Sequence, residues 1–459
     1  MEETLAYIHK NQNRYVNELK EFLSIPSISN NPKNRPAMIN CAEFLVDQLK
    51  AIGLQRAELF STNGHPIVFG EWLSSPEKPT LIFYGHYDVQ PVDPLELWTT
   101  NPFEPTIRQG EIYARGSVDD KGQVWMNLKA IEAYLKTQGN LPINLKVLIE
   151  GEEEVGSTNL EKFICSHQEL LKSDVALISD TPMFKRGVPS ICYGLRGLAY
   201  FQLDMKGSNY DLHSGSFGGS VINPNFALAQ VISLLKDKDG QILIPGFYDD
   251  VIPLTNQEKI EMSKLPFDEA IFCKDFGIPK LFGEKGYGTL ERIWARPTLE
   301  VNGMSGGFVG EGSKTVIPAH AMAKISMRLV PNQDPSRVGQ LLKAYLQNIT
   351  PPSVKLKMTH LNGGKPWITP LNHPAIQAAS QALKKGFGSA PVFVREGGSI
   401  PVVACFAAVL GIPTVLMGVG LPDSNTHAPN EKLDLTNFQN GILSSTHFLS
   451  EFSNSIRIR

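Results

Sequence analysis

Cysteine is scarce in this chain of 459 residues, and the five that occur are widely separated: Cys41, Cys165, Cys192, Cys273 and Cys405. None belongs to a Cys-x-x-Cys pair. An odd, scattered set argues against a disulfide framework and against a zinc site built from thiolates. The cysteine content therefore favours a reducing compartment, and we expect a cytoplasmic protein.

The chain also lacks an excess of charge of one sign and a long apolar run. Its 43 basic and 46 acidic residues give a formal net charge of -3, so composition offers no reason to expect nucleic acid or an anionic membrane as a partner. The start Met-Glu-Glu does not resemble the basic start of a secretory signal peptide. No run is long and apolar enough to span a bilayer.

The chain is longer than a single hydrophobic core usually supports, so more than one domain is expected. Short apolar runs at residues 81–84, 147–149, 175–178 and 413–416 are typical of strands covered on both faces. Between the first two, Val124, Leu128, Ile131 and Leu135 have the spacing of a crossover helix. This order predicts an α/β domain with a mixed, largely parallel sheet flanked by helices.

The pattern changes near residue 187 and again near the Gly-Gly-Lys-Pro segment at residues 363–366. Between these points, residues 199–205 and 321–330 have the alternation of long strands, and residues 225–235 have a helical pattern. We therefore predict a catalytic domain formed by residues 1–187 and 365–459. An inserted α+β domain at residues 188–364 interrupts it.

Histidines and carboxylates follow the predicted strands of the catalytic domain. In an open α/β sheet, the carboxyl ends of parallel strands meet at one edge, where ligands bind. Two divalent cations can be held there if Asp119 bridges them, with His86 and Asp180 on one cation and Glu154 and His427 on the other. A zinc ion with three protein ligands keeps a position for water and lowers the pKa of that water to about 7.

Two further residues are expected to assist this site. Glu153 precedes the ligand Glu154, and neighbouring side chains point in different directions, so Glu153 is the natural general base. Asp88 lies two residues beyond His86 and would accept its second ring N–H, which fixes the tautomer. Singly, each cluster also has an ordinary interpretation, as a solvated acidic loop, a helix cap or a hydrogen-bonded histidine. The occurrence of all these clusters together favours a metal-binding site.

The segments around these residues resemble the co-catalytic zinc peptidases, a family that includes carnosinase, cytosolic nonspecific dipeptidase, aminoacylase and succinyl-diaminopimelate desuccinylase. The resemblance is carried by YGHYDVQP at residues 84–91, GSVDDKG at 116–122, EGEEEVGS at 150–157 and Ser-Asp at 179–180. It continues through YGLRG at 193–197, DLHSG at 211–215, TVIP at 315–318 and REGGSIP at 395–401. The cytosolic nonspecific dipeptidase and carnosinase branch is the most similar.

The resemblance implies a zinc-peptidase fold with two Zn²⁺ per chain, for which Mn²⁺ and Co²⁺ are alternatives. It implies the same five metal ligands and the same general base, Glu153. It also implies a cis peptide bond between Asp119 and Asp120. The inserted domain would be a lid that forms a homodimer interface, with His213 reaching into the partner's site to stabilise the oxyanion and Thr315 likewise reaching across. On sequence alone, His213 is more typical of a turn residue stabilised by Ser214.

The resemblance further implies that Arg328 and Ser399 bind the terminal carboxylate of a substrate. The backbone N–H groups around Gly398 would complete the anion pocket. Ordinary alternatives are a cross-strand salt bridge for Arg328 and a simple Gly-Gly-Ser turn for Ser399. One position departs from the family pattern, since Asn362 stands where carnosinase-like members tend to carry a histidine.

The expected function is hydrolysis of the peptide bond of dipeptides or short peptides with a free C-terminal carboxylate. Metal-bound hydroxide would attack, with Glu153 as general base. The first alternative is an N-acyl amino-acid deacylase or desuccinylase that uses the same site, because related enzymes remove acyl groups. A non-catalytic binding protein of the same fold is a second alternative, which the intact base and ligand set disfavour.

Overall fold

The computed structural model describes residues 1–398 and 400–455, and it contains two compact units. The first unit comprises Met1–Tyr193, Thr369–Val394 and Pro401–Arg459, and the second comprises Gly194–Ile368 and Arg395–Ile400. The predicted boundaries were after residues 187 and 364. The first division falls slightly later, after Tyr193, because the strand that begins at Ser190 still pairs within the first unit through Cys192 and Leu416. The second falls after Ile368, and Arg395–Ile400, expected in the catalytic domain, belongs to the second unit.

The strands, numbered along the chain, have the following bounds. They are β1 (Arg56–Phe60), β2 (Ile67–Trp72), β3 (Thr80–His86), β4 (Thr106–Arg108), β5 (Glu111–Tyr113), β6 (Asn144–Glu150), β7 (Val175–Ile178), β8 (Ser190–Leu195), β9 (Gly197–Lys206), β10 (Leu212–His213), β11 (Thr298–Gly306), β12 (Val316–Ile317), β13 (His320–Leu329), β14 (Lys355–Gly364), β15 (Trp367–Ile368), β16 (Val392–Glu396), β17 (Thr414–Leu416) and β18 (Lys432–Asp434).

The α-helices have the following bounds. They are α1 (Glu2–Leu23), α2 (Arg35–Ile52), α3 (Lys121–Gln138), α4 (Leu160–Ser166), α5 (Gln168–Leu171), α6 (Ser214–Phe217), α7 (Pro224–Ser233), α8 (Asn256–Ser263), α9 (Glu269–Asp275), α10 (Thr289–Trp294), α11 (Pro335–Ile349), α12 (Pro374–Phe387), α13 (Pro401–Cys405) and α14 (Leu435–Ser455). Short 3-10 turns lie at Pro32–Asn34, Leu95–Leu97 and Glu153–Val155, and Phe406–Leu410 forms a π-helical turn.

A mixed sheet forms the centre of the first unit, with strands in the order β1-β2-β6-β3-β7-β17-β8. The four central strands, β6, β3, β7 and β17, run parallel, whereas β1, β2 and β8 pair antiparallel to their neighbours. Every residue of β6 and β7 is buried, as expected for parallel strands with both faces covered. The predicted mixed, largely parallel sheet is confirmed.

Helices α1, α2, α3, α12 and α14 contribute apolar side chains to the core around this sheet. The crossover helix α3 is buried at every residue from Lys121 to Leu135, since it packs against α1, α14 and β3. Helix α2 ends at Gly53, whose φ of 107° is the left-handed conformation that favours glycine at a helix end. The predicted strands and helices of this unit all occur.

A four-stranded antiparallel sheet, in the order β11-β13-β9-β14, forms the centre of the second unit. Burial alternates strictly along β9, as the sequence predicted for a sheet with one covered face. Helices α7 and α11 pack against this sheet, and their apolar residues join its core. Separately, β10 and β12 form a two-stranded ladder. Among the described residues, no helix combines the length and apolar character needed to cross a membrane.

Candidate metal centre

The carboxyl ends of the parallel strands bring the predicted residues to one edge of the sheet. Strand β3 ends on His86, and β6 ends shortly before the turn that carries Glu153 and Glu154. Strand β7 ends two residues before Asp180, and Asp119 lies two residues before α3. Because β3, β6 and β7 are parallel neighbours, these side chains converge.

His427 reaches the same edge from the loop between β17 and β18. The N–H of Lys432 closes this loop on the carbonyl oxygen of Ser424 at 3.0 Å. Asn430 anchors it, since its side-chain N–H donates to the carbonyl oxygen of Leu97 at 2.8 Å. His427 has a φ of 62°, an uncommon conformation for a residue with a side chain, which persists where the surroundings hold it.

The first group of potential ligands consists of His86, Asp119 and Asp180. The Nε2 atom of His86 lies 3.1 Å from Oδ1 of Asp119 and 3.8 Å from Oδ2 of Asp180. The His86 side chain is fully buried, and Asp119 is nearly so. One ligand atom from each residue lies within 4.8 Å of the other two.

The second group consists of Asp119, Glu154 and His427, and it satisfies the same distance limit. The Nε2 atom of His427 lies 2.9 Å from Oδ2 of Asp119 and 3.2 Å from Oε2 of Glu154. Asp119 therefore directs one carboxylate oxygen to each group, as a bridging ligand would. The structure brings all five predicted residues together, in the two predicted sets.

The pKa values reflect the crowding of carboxylates and imidazoles. Burial, reinforced by the charge of Asp119, raises the pKa of Asp180 to about 7. Hydrogen bonds with Asp119 and Glu154 raise the pKa of His427 to about 10. A buried acid with a pKa this far from its ordinary value, beside an imidazole with a raised pKa, marks a candidate functional site. The set of two imidazoles and three carboxylates suits divalent transition metals.

Asp88 lies against the second ring nitrogen of His86, with both its backbone oxygen and its carboxylate. The Nδ1 atom of His86 lies 3.0 Å from the backbone oxygen of Asp88 and 3.4 Å from its carboxylate. The closer contact is thus with the backbone. With the proton on Nδ1, Nε2 is left to face Asp119.

The buried carboxylate of Asp88 also anchors the acidic turn. Its two oxygens accept the backbone N–H groups of Glu153 at 3.2 Å and Glu154 at 3.1 Å. Glu154 is further held by Gln90, whose side-chain N–H donates to Oε2 at 2.7 Å. The turn is therefore fixed by side chains from the segment that follows β3, and not solvated as an ordinary acidic loop would be.

Glu153 lies in the same turn with its carboxyl group largely out of water. Burial, with a contribution from the charge of Asp180, raises its pKa to about 8. A carboxylate whose proton affinity is raised in this way is suited to accept a proton near neutral pH.

The peptide bond between Asp119 and Asp120 is cis, as predicted. Asp120 is the N-cap residue of α3, but its side chain makes no capping hydrogen bond. Its carboxylate accepts the N–H of His86 at 3.2 Å.

Sequence reasoning missed Glu431, which holds the segment that presents Asp119. Its Oε1 accepts the backbone N–H groups of Val118 at 2.9 Å and Asp119 at 3.1 Å. Its Oε2 accepts the N–H of Gly116 at 3.0 Å and a guanidinium N–H of Arg115 at 2.8 Å. Both members of this ion pair are buried. No local sequence pattern predicts this contact, because more than 300 residues separate Glu431 from Asp119.

The second unit places His213 and Thr315 side by side. Strand β10 pairs with β12 so that His213 lies opposite Val316, and the N–H of Ser214 donates to the oxygen of Thr315 at 3.1 Å. Both His213 and Thr315 are exposed. The Nδ1 atom of His213 accepts the N–H of Gly215 at 3.0 Å. The neutral ring therefore carries its proton on Nε2, where it can be donated outward.

The residues predicted to bind a carboxylate also belong to the second unit. Arg328 is half-buried on β13, opposite Thr298 of β11 and Leu198 of β9, so no carboxylate faces it directly across the sheet. Gly398 lies in the segment Arg395–Ile400 of the same unit. Ser399 lies outside the described residues, and its predicted role stays a prediction.

A family model described as peptidase family M20/M25/M40 matches residues 82–451. The chain belongs to this peptidase family. It is therefore a hydrolase, and the resemblance inferred from the motifs is confirmed.

Individual relatives match nearly the whole chain. The Cys-Gly metallodipeptidase dug1 of Schizosaccharomyces pombe is 36% identical over 450 residues, which are 95% of this chain and 94% of the relative. The Beta-Ala-His dipeptidase of Homo sapiens is 32% identical over 458 residues, which are 96% of this chain and 90% of the relative. Among solved structures, the M20 family metallo-carboxypeptidase Sso-CP2 from Sulfolobus solfataricus has a TM-score of 0.84 at 36% identity, with 96% of this chain and 99% of that chain covered.

Proposed function

We propose that this M20 peptidase is a metal-dependent dipeptidase that cleaves dipeptides or short peptides with a free C-terminal carboxylate. The observation that carries the proposal is the pair of ligand groups that share Asp119, with Glu153 beside them. The names of two relatives, a Cys-Gly metallodipeptidase and a Beta-Ala-His dipeptidase, support dipeptides as the substrate class.

The five ligand residues would hold two divalent cations per chain, with Zn²⁺ as the first candidate and Mn²⁺ or Co²⁺ as alternatives. Ligand chemistry supports this, because imidazole nitrogen and carboxylate oxygen suit all three metals and do not select one. Bound there, such cations would acidify a water molecule and polarise a substrate carbonyl group.

Glu153 would act as the general base, taking a proton from the attacking water and delivering it to the leaving amine. Its neighbour Glu154 is turned toward His427, so the two adjacent carboxylates serve different purposes. Asp88 would keep both in place through the backbone N–H groups that it accepts. The raised pKa of Glu153 supports the transfer of a proton in both directions near neutral pH.

Arg328, together with Ser399 and the backbone around Gly398, would bind the terminal carboxylate of the peptide. The fork of a guanidinium group matches a carboxylate with two parallel hydrogen bonds. His213 would donate its Nε2 proton to the oxyanion that develops during hydrolysis, and Thr315 beside it would assist. The tautomer set by Gly215 supports this role for His213.

We further propose a homodimer formed through the second unit, in which His213 and Thr315 serve the partner's site. The segment around His213 supports an interface, because it exposes several large apolar side chains: Tyr210, Phe217, Val221 and Phe226. Tyr210 and Phe226 are each 72% exposed. Such clusters typically mark surfaces that another protein covers.

The proposal is tested by assaying the metal-reconstituted enzyme on matched substrates. One set contains dipeptides, a second their N-acetyl derivatives and a third the corresponding N-acetyl amino acids. A dipeptidase should cleave the free dipeptides with the highest kcat/KM and should lose activity when a chelator removes the metals. Higher kcat/KM on the N-acetyl amino acids would instead identify a deacylase, and equal inactivity on all three sets would reject both functions.

A further inference from the structure

Helix α3 carries two amide side chains that are buried in the core of the first unit. Gln123 and Asn127 are 2% and 3% exposed. They are four residues apart, so they lie on the same face of the helix, one turn from each other. A buried amide is costly unless its N–H and C=O groups are hydrogen-bonded. The partners of these two amides therefore show what this face of α3 does.

Asn127 connects α3 to the segment that carries Asp180. Its side-chain N–H donates to Oγ of Ser179 at 2.9 Å, and Ser179 immediately precedes Asp180. The same amide nitrogen donates to the backbone oxygen of Gln123 at 2.9 Å. Its side-chain oxygen accepts the hydroxyl of Ser445, a residue of α14, at 2.9 Å. Both ends of the Asn127 amide are thus satisfied, and one of them holds Ser179.

Gln123 connects α3 to two other segments. Its side-chain N–H donates to the backbone oxygen of Val118 at 2.9 Å, and Val118 immediately precedes Asp119. Its side-chain oxygen accepts the backbone N–H of Val419 at 2.7 Å. The backbone oxygen of Val419 accepts a side-chain N–H of Asn437 at 3.2 Å. Both polar backbone groups of Val419, at the start of the loop between β17 and β18, are therefore held by side chains.

The three contacted residues, Ser179, Val118 and Val419, lie outside the strands and helices. Polar groups of irregular backbone are not satisfied by a neighbouring strand, so side chains must satisfy them when they are buried, and in doing so fix the segment. Because both amides belong to one helix, they also fix these three segments relative to each other. Each segment leads into a different proposed metal ligand.

We propose that Gln123 and Asn127 are positioning residues that set the spacing of the two metal groups from a single helix. Asn127 acts on the segment of Asp180, which belongs to the first group alone. Gln123 acts on the segment of Asp119, which both groups share, and on the loop that carries His427. This inference rests on the proposed function, which assigns these ligands to two cations.

The test is a calorimetric titration of the metal-free protein with Zn²⁺. The variants Asn127→Leu and Gln123→Met replace each amide with an apolar side chain of similar shape. We expect Asn127→Leu to weaken the binding of one of the two ions by about 10-fold, the usual effect of losing a residue that orients a ligand. Gln123→Met should weaken the binding of both ions, because its contacts lead to ligands of both groups.

A destabilised control separates positioning from stability. Both amide variants should lower the Tm, since they leave buried polar groups without partners. Asn144 is also a buried amide, and it donates to the backbone oxygens of Ser75 at 2.7 Å and Lys78 at 2.8 Å. It begins β6, about 20 Å along the strand from the end that leads to the Glu153 turn. Asn144→Leu should lower the Tm and bind both ions with unaltered affinity.

A double-mutant cycle tests the route from Asn127 to the metal. Ser179→Ala removes the other half of the contact and should weaken the same ion as Asn127→Leu does. If Asn127 acts through Ser179, the double variant Asn127→Leu/Ser179→Ala should bind that ion no more weakly than the weaker single variant, whereas independent effects would multiply. Ser179→Ala is a small change, so it carries the test alone if Asn127→Leu does not fold.

These affinities do not depend on turnover. If the unaltered protein bound two Zn²⁺ and cleaved no peptide, the proposed function would fail, yet the selective loss of one ion in Asn127→Leu and Ser179→Ala would still support the positioning role. The inference would be overturned if these variants left both affinities unaltered, weakened both equally, or weakened them no more than Asn144→Leu does.

Discussion

Replacing Glu431 by alanine should damage the metal centre without touching any proposed ligand. The carboxylate of Glu431 accepts three backbone N–H groups, from Gly116, Val118 and Asp119, and one from the guanidinium group of Arg115. The last of these backbone groups belongs to the proposed bridging ligand itself. Glu431→Ala therefore releases the segment that sets the position of Asp119.

The expected loss of stability follows from the burial of the pair. The side chains of Arg115 and Glu431 are each 1% exposed, so Glu431→Ala leaves a buried cation without its partner. Breaking a buried ion pair in this way typically costs ~3–5 kcal/mol. For a unit of about 280 residues, with an unfolding entropy of about 2.1 cal/mol/K per residue, that corresponds to a Tm lower by roughly 5–9 °C. Loss of a residue that orients a ligand also typically weakens metal binding by about 10–100-fold.

The assay combines unfolding curves with metal titration for a set of four proteins. These are the unaltered enzyme, Glu431→Ala, Arg115→Met and the double variant Arg115→Met/Glu431→Ala. The double variant removes both charges, so neither is left buried without its partner. It should therefore be more stable than the sum of the separate effects predicts, the sign of a coupled pair.

Metal affinity distinguishes positioning from stability alone. Arg115→Met leaves the carboxylate of Glu431 to hold Val118 and Asp119, so it should bind metal more tightly than Glu431→Ala at a similar loss of stability. If Glu431→Ala bound two metals with unaltered affinity, the reasoning that Glu431 positions Asp119 would be refuted.

Three further results are expected. Glu153→Gln should keep its metals and lose ~10²–10⁴-fold in turnover. Near-normal turnover would place the base elsewhere, and Glu161→Gln, at an exposed residue of α4, is the matched control. Metal binding at pH 7 should release protons, because the pKa of metal-free His427 is about 10 and only the neutral imidazole binds metal. Metal affinity should therefore rise with pH. Calorimetry in buffers of different ionisation enthalpy measures the number of protons released, and a value of zero would contradict the prediction. Mixing His213→Ala with Glu153→Gln chains should restore activity that neither variant has alone, whereas inactive, verified heterodimers would show that His213 does not serve the partner's site.

The sequence predicted those features that depend on local pattern. Apolar runs gave the parallel strands, and the residues that follow such strands necessarily meet at one edge of the sheet. His86, Glu154 and Asp180 could therefore be grouped before their distances were known. The bridging place of Asp119 followed from the number of carboxylates needed to give each cation three ligands.

Features that depend on contacts between distant segments were not predicted. Glu431 lies in an unremarkable loop, and its carboxylate meets the segment before α3 only after the chain has folded. Asp88 was assigned to the imidazole of His86, but its further contacts with the N–H groups of Glu153 and Glu154 were not predicted.

The central claim is that two cations share Asp119. Metal content per chain, measured by mass spectrometry after saturation with Zn²⁺ and removal of unbound metal, tests it most directly. We predict about two ions in the unaltered enzyme, about one in Asp180→Ala and in His427→Ala, and fewer than one in Asp119→Ala. One ion or fewer in the unaltered enzyme, or two retained in Asp119→Ala, would contradict the shared site.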